Sequence, residues 1–185
     1  MMNYNLLCGD RVRLTALGSA DLAALTRWQQ DAGFLRLFDA RPAFPKSEAA
    51  LSEWVSAGQK ATNIFLFGAR LIEGDDLLGF IELDGVLWAH GVCGISYCIG
   101  DPAQRGQGYG YEAAQLALTF AFYELNLHRV TLTAFEYNRP SIALAEKLGF
   151  VREGVFREFL QRDGQRHDML LFGLLRHEWQ ERNKD

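Results

Sequence analysis

The sequence has little that would staple or punctuate it. Cysteine occurs three times, at Cys8, Cys93 and Cys98. That odd count, without metal-ligand spacing, argues against a disulfide framework or a metal knuckle and fits reduced thiols in a cytoplasmic protein. No stretch approaches the roughly 18 uninterrupted apolar residues of a membrane span. The opening residues, MMNYNLLCGDRVRL, lack the long apolar core of a signal peptide. No run of five or six like charges occurs, and the formal net charge is −4. Neither a nucleic acid nor a membrane is therefore indicated as a partner. Repeats and low-complexity linkers are absent too. The 185 residues suit one domain, 1–185, with an ordinary globular composition.

What is present alternates between strand and helix patterns. RVRLTAL (11–17) alternates as a strand, and Ser19 or Asp21 is placed to cap the helix DLAALTRWQQD. RPAFPKS (41–47) is loop. Ser47 then caps EAALSEWVSAG, with Gly58 as its stop. NIFLFGAR (63–70), LLGFIEL (77–83) and VCGISYCIG (92–100) form an antiparallel meander. The spacing predicts a helix over 108–125 whose narrow polar stripe is Glu112, Gln115, Thr119 and Tyr123. The rest of that helix is apolar, so it lies against a sheet. RVTLTAFE (129–136) has the β-branched bias of a central strand. NRPSIALAEKLGF (138–150) is a capped helix with Pro140 in its first turn and Gly149 at its end. REGVFREFLQ and RHDMLLFGLL make a hairpin around RDGQ. The order β-α-α-β-β-β-α-β-α-β-β is an α/β arrangement, a mixed sheet with helices on its faces. Residues 92–135 supply a parallel pair through a right-handed crossover.

DPAQRGQGYG (101–110) stands out, with Gly106, Gly108 and Gly110 where the helix is about to start. Glycine costs entropy on ordering, so the cluster needs a reason. A strand running through such a loop into a helix aims free N–H groups and the helix dipole at one place, which suits a phosphate or pyrophosphate. The lysine and Ser/Thr of a P-loop are missing, and the third glycine comes one residue early for G-x-G-x-x-G.

QRGQGYG resembles the Q/R-x-x-G-x-G/A signature of the GNAT acetyltransferases. YGYEAAQLALTFAFYELNLHRVTLTAFEYNRPSIALAEKLGFVREGVFRE resembles their RimL-type branch. The resemblance implies the GNAT fold with a splayed central parallel pair, and acetyl-CoA as cosubstrate with no metal. It implies an amine acceptor, a protein N-terminus or a small amine, and leaves room for a homodimer. The loop residues Gln104, Arg105, Gly106, Gln107, Gly108, Tyr109 and Gly110 would bind the CoA pyrophosphate, with Arg105 adding a charge-assisted contact. The strand ending Tyr97-Cys98-Ile99 would pair with the pantetheine arm. Asn138 would reach the same arm, although helix capping also accounts for it.

For catalysis, Ala145 stands where many members of the family carry a tyrosine acid. Ser141 matches a serine used in the RimL-type branch; local backbone bonding also accounts for it. Glu158 is the carboxylate nearest the branch's glutamate base, unless it pairs with Arg152 or Arg157; a chain of water serves equally well as the base. Glu82 and Asp84 share one strand face, toward solvent or the acceptor cleft, and Glu82 with ordered water is a further catalytic candidate. A main-chain N–H around Cys98 and Ile99 is the simplest oxyanion donor. Cys98 itself reads as packing, and Trp28, Phe34, Phe38, Phe44 and Trp54 as core or acceptor-pocket wall. The missing tyrosine keeps a second reading open, an acyl-CoA-binding module without turnover.

Overall fold

The computed structural model describes residues 5–183; residues 1–4, the start of the stretch expected not to be a signal peptide, and 184–185 lie outside the described residues. The elements in chain order are β1 (Val12–Thr15), α1 (Leu22–Gln29), α2 (Ala32–Phe38), α3 (Glu48–Lys60), β2 (Phe65–Leu71), β3 (Leu77–Leu87), β4 (Val92–Ile99), α4 (Tyr109–Thr119), β5 (Arg129–Phe135), α5 (Arg139–Leu148), β6 (Val151–Arg162), β7 (Gln165–Leu175) and α6 (Arg176–Arg182). The strands form one mixed sheet in the order β1-β2-β3-β4-β5-β7-β6.

The expected order therefore holds with two helices added, α2 and α6. Four local expectations change. Asp21 does not cap α1; its carboxylate accepts the Gly18 N–H at 2.8 Å and pairs with Arg70. Ser19 begins a short 3-10 turn ahead of α1. Gly58 does not stop α3, which runs on to Lys60; a Cβ there would lie 3.1 Å from Leu66 Cδ2, so the glycine lets β2 approach. The α4 helix ends at Thr119, and Phe120–Glu124 widens into a π-type turn.

Strand alternation divides the core into two layers. Ile81 and Leu83 of β3 face α4 and α5, with Leu118, Phe122 and Leu148. The small Ala113, Ala114 and Ala117 let α4 lie close on the sheet. Phe80 faces the other way, toward Trp28, Phe34, Leu51 and Val55 of α1–α3. The parallel β4–β5 pair is short. It pairs Val92 with Arg129, Cys93 with Val130 and Gly94 with Thr131, and then the strands part.

Polar contacts pin α2 across the mouth of that gap. The β6–β7 turn is a two-residue connection with Asp163 at φ 52° and Gly164 at φ 76°. Its Asp163 pairs with Arg36 of α2. Arg162 Nη2 donates to the carbonyls of Asp39, Ala40 and Arg41 at 3.1, 3.2 and 3.0 Å. Tyr137 Oη donates to Arg36 O at 2.9 Å, and Asn138 Nδ2 to Leu37 O at 3.1 Å.

The pair most enclosed by protein is Asp21–Arg70, with side chains 4% and 15% exposed. Removing Asp21 leaves the largely enclosed Arg70 guanidinium with only the more distant Asp75 carboxylate, at 3.9 Å, and its bonds to Thr15 Oγ1 and Asp75 O. Asp21→Ala is expected to cost about 3 kcal/mol in urea denaturation at unchanged m-value. A loss below about 1 kcal/mol, the ceiling for exposed pairs, would show that water replaces the carboxylate.

Candidate active site

The gap between β4 and β5 opens into a cleft of about 840 Å³. Its rim is the glycine loop, its side is α5, and Phe34, Leu37 and Phe38 of α2 close it. In an antiparallel pair only alternate residues exchange peptide hydrogen bonds. Gly100 N–H donates to Leu78 O at 2.9 Å, so the even residues of β4 are the ones bonded to β3. The peptide groups of Ile95, Tyr97 and Ile99 then turn toward β5. Two side chains agree: Thr131 Oγ1 donates to Cys93 O at 3.2 Å, and Arg105 Nε donates to Ile99 O at 3.0 Å. Past Gly94 no strand among the described residues meets these groups, and an extended chain laid in the gap would find a ladder waiting.

The loop is shaped by its own bonds. Asp101 Oδ1 accepts the Ala103 N–H at 2.9 Å, and Gln107 Nε2 donates to Ala103 O at 2.8 Å. Gly106 (φ 75°) and Gly108 (φ 89°) occupy left-handed backbone that L side chains rarely adopt. Gly108 leads directly into Tyr109, the first residue of α4, whose first-turn N–H groups lack intrahelical partners. Gly110 is different: an added Cβ would make only ordinary contact with Ile99, at 3.5 Å. Gln104 lies in the turn before Arg105 and lines the cleft.

Arg105 is committed elsewhere than expected. Its fork braces the end of β4, with Nε on Ile99 O and Nη2 on Gly100 O at 2.9 Å. A second cation does stand at the loop, and sequence reasoning missed it. Arg11 Nη1 donates to Gln107 O at 3.2 Å, Nε meets Glu112 Oε2 at 3.3 Å, and the guanidinium lies 5.0 Å from the Tyr109 ring centre. Nothing near position 11 in the chain signals this. Lys147, on the cleft wall with Nζ 4.4 Å from the Tyr111 ring centre, was missed too.

Asn138 caps α5, its Oδ1 accepting the Ser141 N–H at 3.3 Å, while its amide holds α2. Ser141 lines the cleft, and its carbonyl accepts from Tyr97 Oη at 3.4 Å. Burial pushes the Tyr97 phenol up to about 12, although hydrogen bonding to Ser141 pulls the other way. It stays protonated at neutral pH. Burial likewise pushes the Cys98 thiol up to about 12, so it is no nucleophile; its side chain packs toward Phe80 and Trp28.

The carboxylates separate. Asp84 lines the cleft, and burial raises its pKa. Glu82, half-buried on the same strand face, is raised by burial and then by Asp84, with Lys46 opposing; unlike Asp84, and against its expected catalytic place, it is not part of the cleft wall. Glu158 is exposed at φ 52° inside an irregularity of β6 between Phe156 and Leu160. Its N–H donates to Asp168 Oδ1 at 2.8 Å, and among the described residues it pairs with neither Arg152 nor Arg157. It is not part of the cleft wall. Phe44, expected in the core or a pocket wall, is 76% exposed. Trp54 and Phe38 do pack on Phe80, with ring centres 5.1 and 5.2 Å away. Among the described residues no group of three His, Cys, Asp or Glu could hold a metal ion, and no helix is long and apolar enough to cross a membrane.

Residues 11–151 match the family model described as an acetyltransferase (GNAT) domain. The chain belongs to the GNAT acetyltransferase family. It is 32% identical over 173 residues to the SPbeta prophage-derived uncharacterized N-acetyltransferase YokL of Bacillus subtilis, covering 93% of this chain and 94% of that one. It is 26% identical to the [Ribosomal protein uS5]-alanine N-acetyltransferase of Escherichia coli, over 74% of this chain and 70% of that one. The fold is shared with the spermidine N-acetyltransferase of Vibrio cholerae, solved in complex with CoA and spermine. The TM-score is 0.82 at 23% identity, over 91% of this chain and 97% of that one. These relatives are N-acetyltransferases of the GNAT family.

Because Arg105 bonds to carbonyls of its own chain, Arg105→Ala should loosen the end of β4. Calorimetry should then find CoA and S-acetylpantetheine, which lacks the pyrophosphate, weakened alike, by about 1.5–3 kcal/mol for charged hydrogen bonds lost. A loss confined to CoA would instead place the guanidinium on the phosphates.

Proposed function

We propose that this protein transfers the acetyl group of acetyl-CoA to a primary amine, by direct attack while both reactants share the cleft. The observation that carries the reading is the unpaired stretch of β4 beginning at Ile95, with a left-handed glycine loop and a helix N-terminus at its open end. A long ligand with an amide-bearing arm and a diphosphate fits that pattern. Its arm extends the sheet, and its charge meets N–H groups of the loop and α4. Acetyl-CoA supplies the activated acyl group, and the residues of this chain hold and orient it. The peptide groups of Tyr97 and Ile99 face the arm, Arg105 and Arg11 shape the loop, and Asn138 holds α5 and α2 at the cleft's side.

Acyl transfer then needs a donor for the developing oxyanion, a proton for the departing sulfur and a place for the amine's proton. A cleft-facing N–H of β4 serves the first; Cys98, bonded to β3, does not. Ser141 serves the second, with the protonated Tyr97 beside it. Ala145, on α5, is fully buried and offers no proton in place of the family's tyrosine. Glu158 is left out, because it lies outside the cleft wall. The acceptor is a peptide N-terminus or a small amine, in keeping with the names of the relatives.

Purified protein should bind acetyl-CoA far more tightly than NAD or ATP. Gly108→Val should nearly abolish that binding, because valine is strained at φ 89° and its Cβ would lie 3.1 Å from Arg11 Nη2. Ser141→Ala should lower kcat about a hundredfold, within the usual range for general acid catalysis, at unchanged acetyl-CoA Kd. Equal affinity for NAD would overturn the cofactor reading. Acetyl-CoA bound without turnover across a broad amine panel would make the protein a binding module.

A further inference from the structure

Most carboxylates around this sheet are spoken for. Asp21 holds Arg70, Glu112 accepts the Arg11 and Val12 amides, Asp163 holds Arg36, and Glu153 holds Arg129. Asp84 is not. Among the described residues its carboxylate accepts no hydrogen bond and forms no ion pair, yet it is half-buried and lines the cleft. A carboxylate taken partly out of water without a partner is costly, and structures keep one where a ligand supplies the partner.

The backbone is arranged to put it there. Asp84 is the last residue of β3 in register with β4 before the pairing slips, and Gly85 follows at φ 58°. Bulges of this kind re-aim the neighbouring side chain. Across the ladder from Asp84 is Gly94. A Cβ on Gly94 would lie 2.5 Å from Asp84 Oδ1, so the carboxylate occupies the space that a side chain at 94 would fill. Gly94 also makes the last β4–β5 pair, with Thr131. The carboxylate therefore sits at the apex of the gap, with the aromatic wall of α2 along the same cleft.

We propose that Asp84 receives the acceptor as an ammonium ion and takes its proton, which makes the acceptor a primary alkylammonium rather than a neutral arylamine. This rests on the acetyl-transfer reading above. The ammonium gives one proton to the Asp84 carboxylate, directly or through one water, and its lone pair attacks the thioester carbon. The C–N bond forms, the C–S bond breaks, and the sulfur leaves with its electron pair. Of the two protons the nitrogen sheds, one ends on the sulfur and one leaves through Asp84 to solvent. Gly94 is a positioning residue. The charged or titratable groups near Asp84 are Glu82 on its own strand, Cys93 on β4, whose thiol it helps push up to about 12, and Lys46, which acts on Glu82. None of them is a cation paired with Asp84. Burial raises Asp84 in the direction a base toward an amine requires.

The test uses the whole chain with n-butylamine, spermidine, an Ala-N-terminal peptide and p-anisidine as acceptors, and CoA release as the signal. Asp84→Asn should lower kcat/KM at least a hundredfold for alkylammonium acceptors at unchanged acetyl-CoA Kd. The fall in wild-type rate at low pH, where Asp84 is protonated, should vanish in this variant. Its melting temperature should stay level or rise, because an unpartnered charge has been removed; a structural carboxylate would give the reverse. Gly94→Ala, with Asp84 intact, should lose rate as well, and Asp84→Glu should recover part of it. Asp84→Asn retaining rate within threefold, or p-anisidine outrunning the alkyl amines, overturns the proposal while leaving acetyl transfer standing. Wild-type protein that binds no acetyl-CoA overturns both.

Discussion

Everything in the cleft depends on β4 and β5 ceasing to pair after Gly94 and Thr131. A parallel pair inside a sheet normally satisfies its peptide groups along its whole length. Here the N–H and C=O groups of Ile95, Tyr97 and Ile99 are left facing open space. The protein satisfies one of them itself, since the Arg105 fork takes the carbonyls of Ile99 and Gly100 where the strand turns into the loop. The other edge of β4 stays in full register with β3 from Gly79 to Asp84. Gly79 and Gly100 make that possible, because any side chain would strike the Cys98 carbonyl at the first and the Trp28 ring at the second. The strand is held rigidly on one edge so that the other can stay unpaired.

The same gap explains the dense polar clamp around α2. A seven-residue helix is too short to be stable alone. It is held by Asp163 on Arg36, by Tyr137 and Asn138 on its carbonyls, and by Arg162 on the three carbonyls that follow. These groups come from the end of β6, the β6–β7 turn and the β5–α5 connection, on the far side of the cleft. The cleft wall formed by Phe34, Leu37 and Phe38 is thus fixed from across the opening. One residue, Asn138, both caps α5 and holds α2, so two walls of the cleft share an anchor.

Features written in local chemistry were legible in the sequence. Pro140 and Gly149 bracket α5, Ser47 caps α3, and Asp163-Gly164 make the hairpin turn, because each depends on a residue's own backbone preference. The helix α2 was not legible. AGFLRLF holds under two turns, contains a glycine and owes its order to tertiary hydrogen bonds. Glu158 misled for a related reason: alternation places side chains only while the strand is regular, and its φ of 52° breaks the pattern. Glu82 and Asp84 were rightly put on one face. Which of them reaches the cleft depended on a slip in register after Asp84, and that requires knowing the partner strand. Arg11 meets the loop across 96 residues and leaves no local trace.

The distribution of charge shows what the cleft costs. Asp75, Glu153 and Asp163 sit below the usual carboxylate range because arginines hydrogen-bond to them. They stabilise the fold above their unfolded pKa values, and that help is lost as pH falls through the folded ones. As exposed pairs they contribute little. Glu82 and Asp84 shift the other way, raised by burial, and their contribution has the opposite sign. It is fully present below the unfolded pKa and lost as pH rises through the folded one. Near neutrality the fold therefore carries two half-buried carboxylates at a net cost, and among the described residues no arginine pairs with either. The cost is tolerable because the sheet around them is held by other means, by the buried Asp21–Arg70 pair and by two apolar layers. A carboxylate kept ionised without a partner attracts a cation more strongly than one already neutralised. The arrangement that weakens the fold locally is the one that would give the proposed ammonium acceptor something to bind.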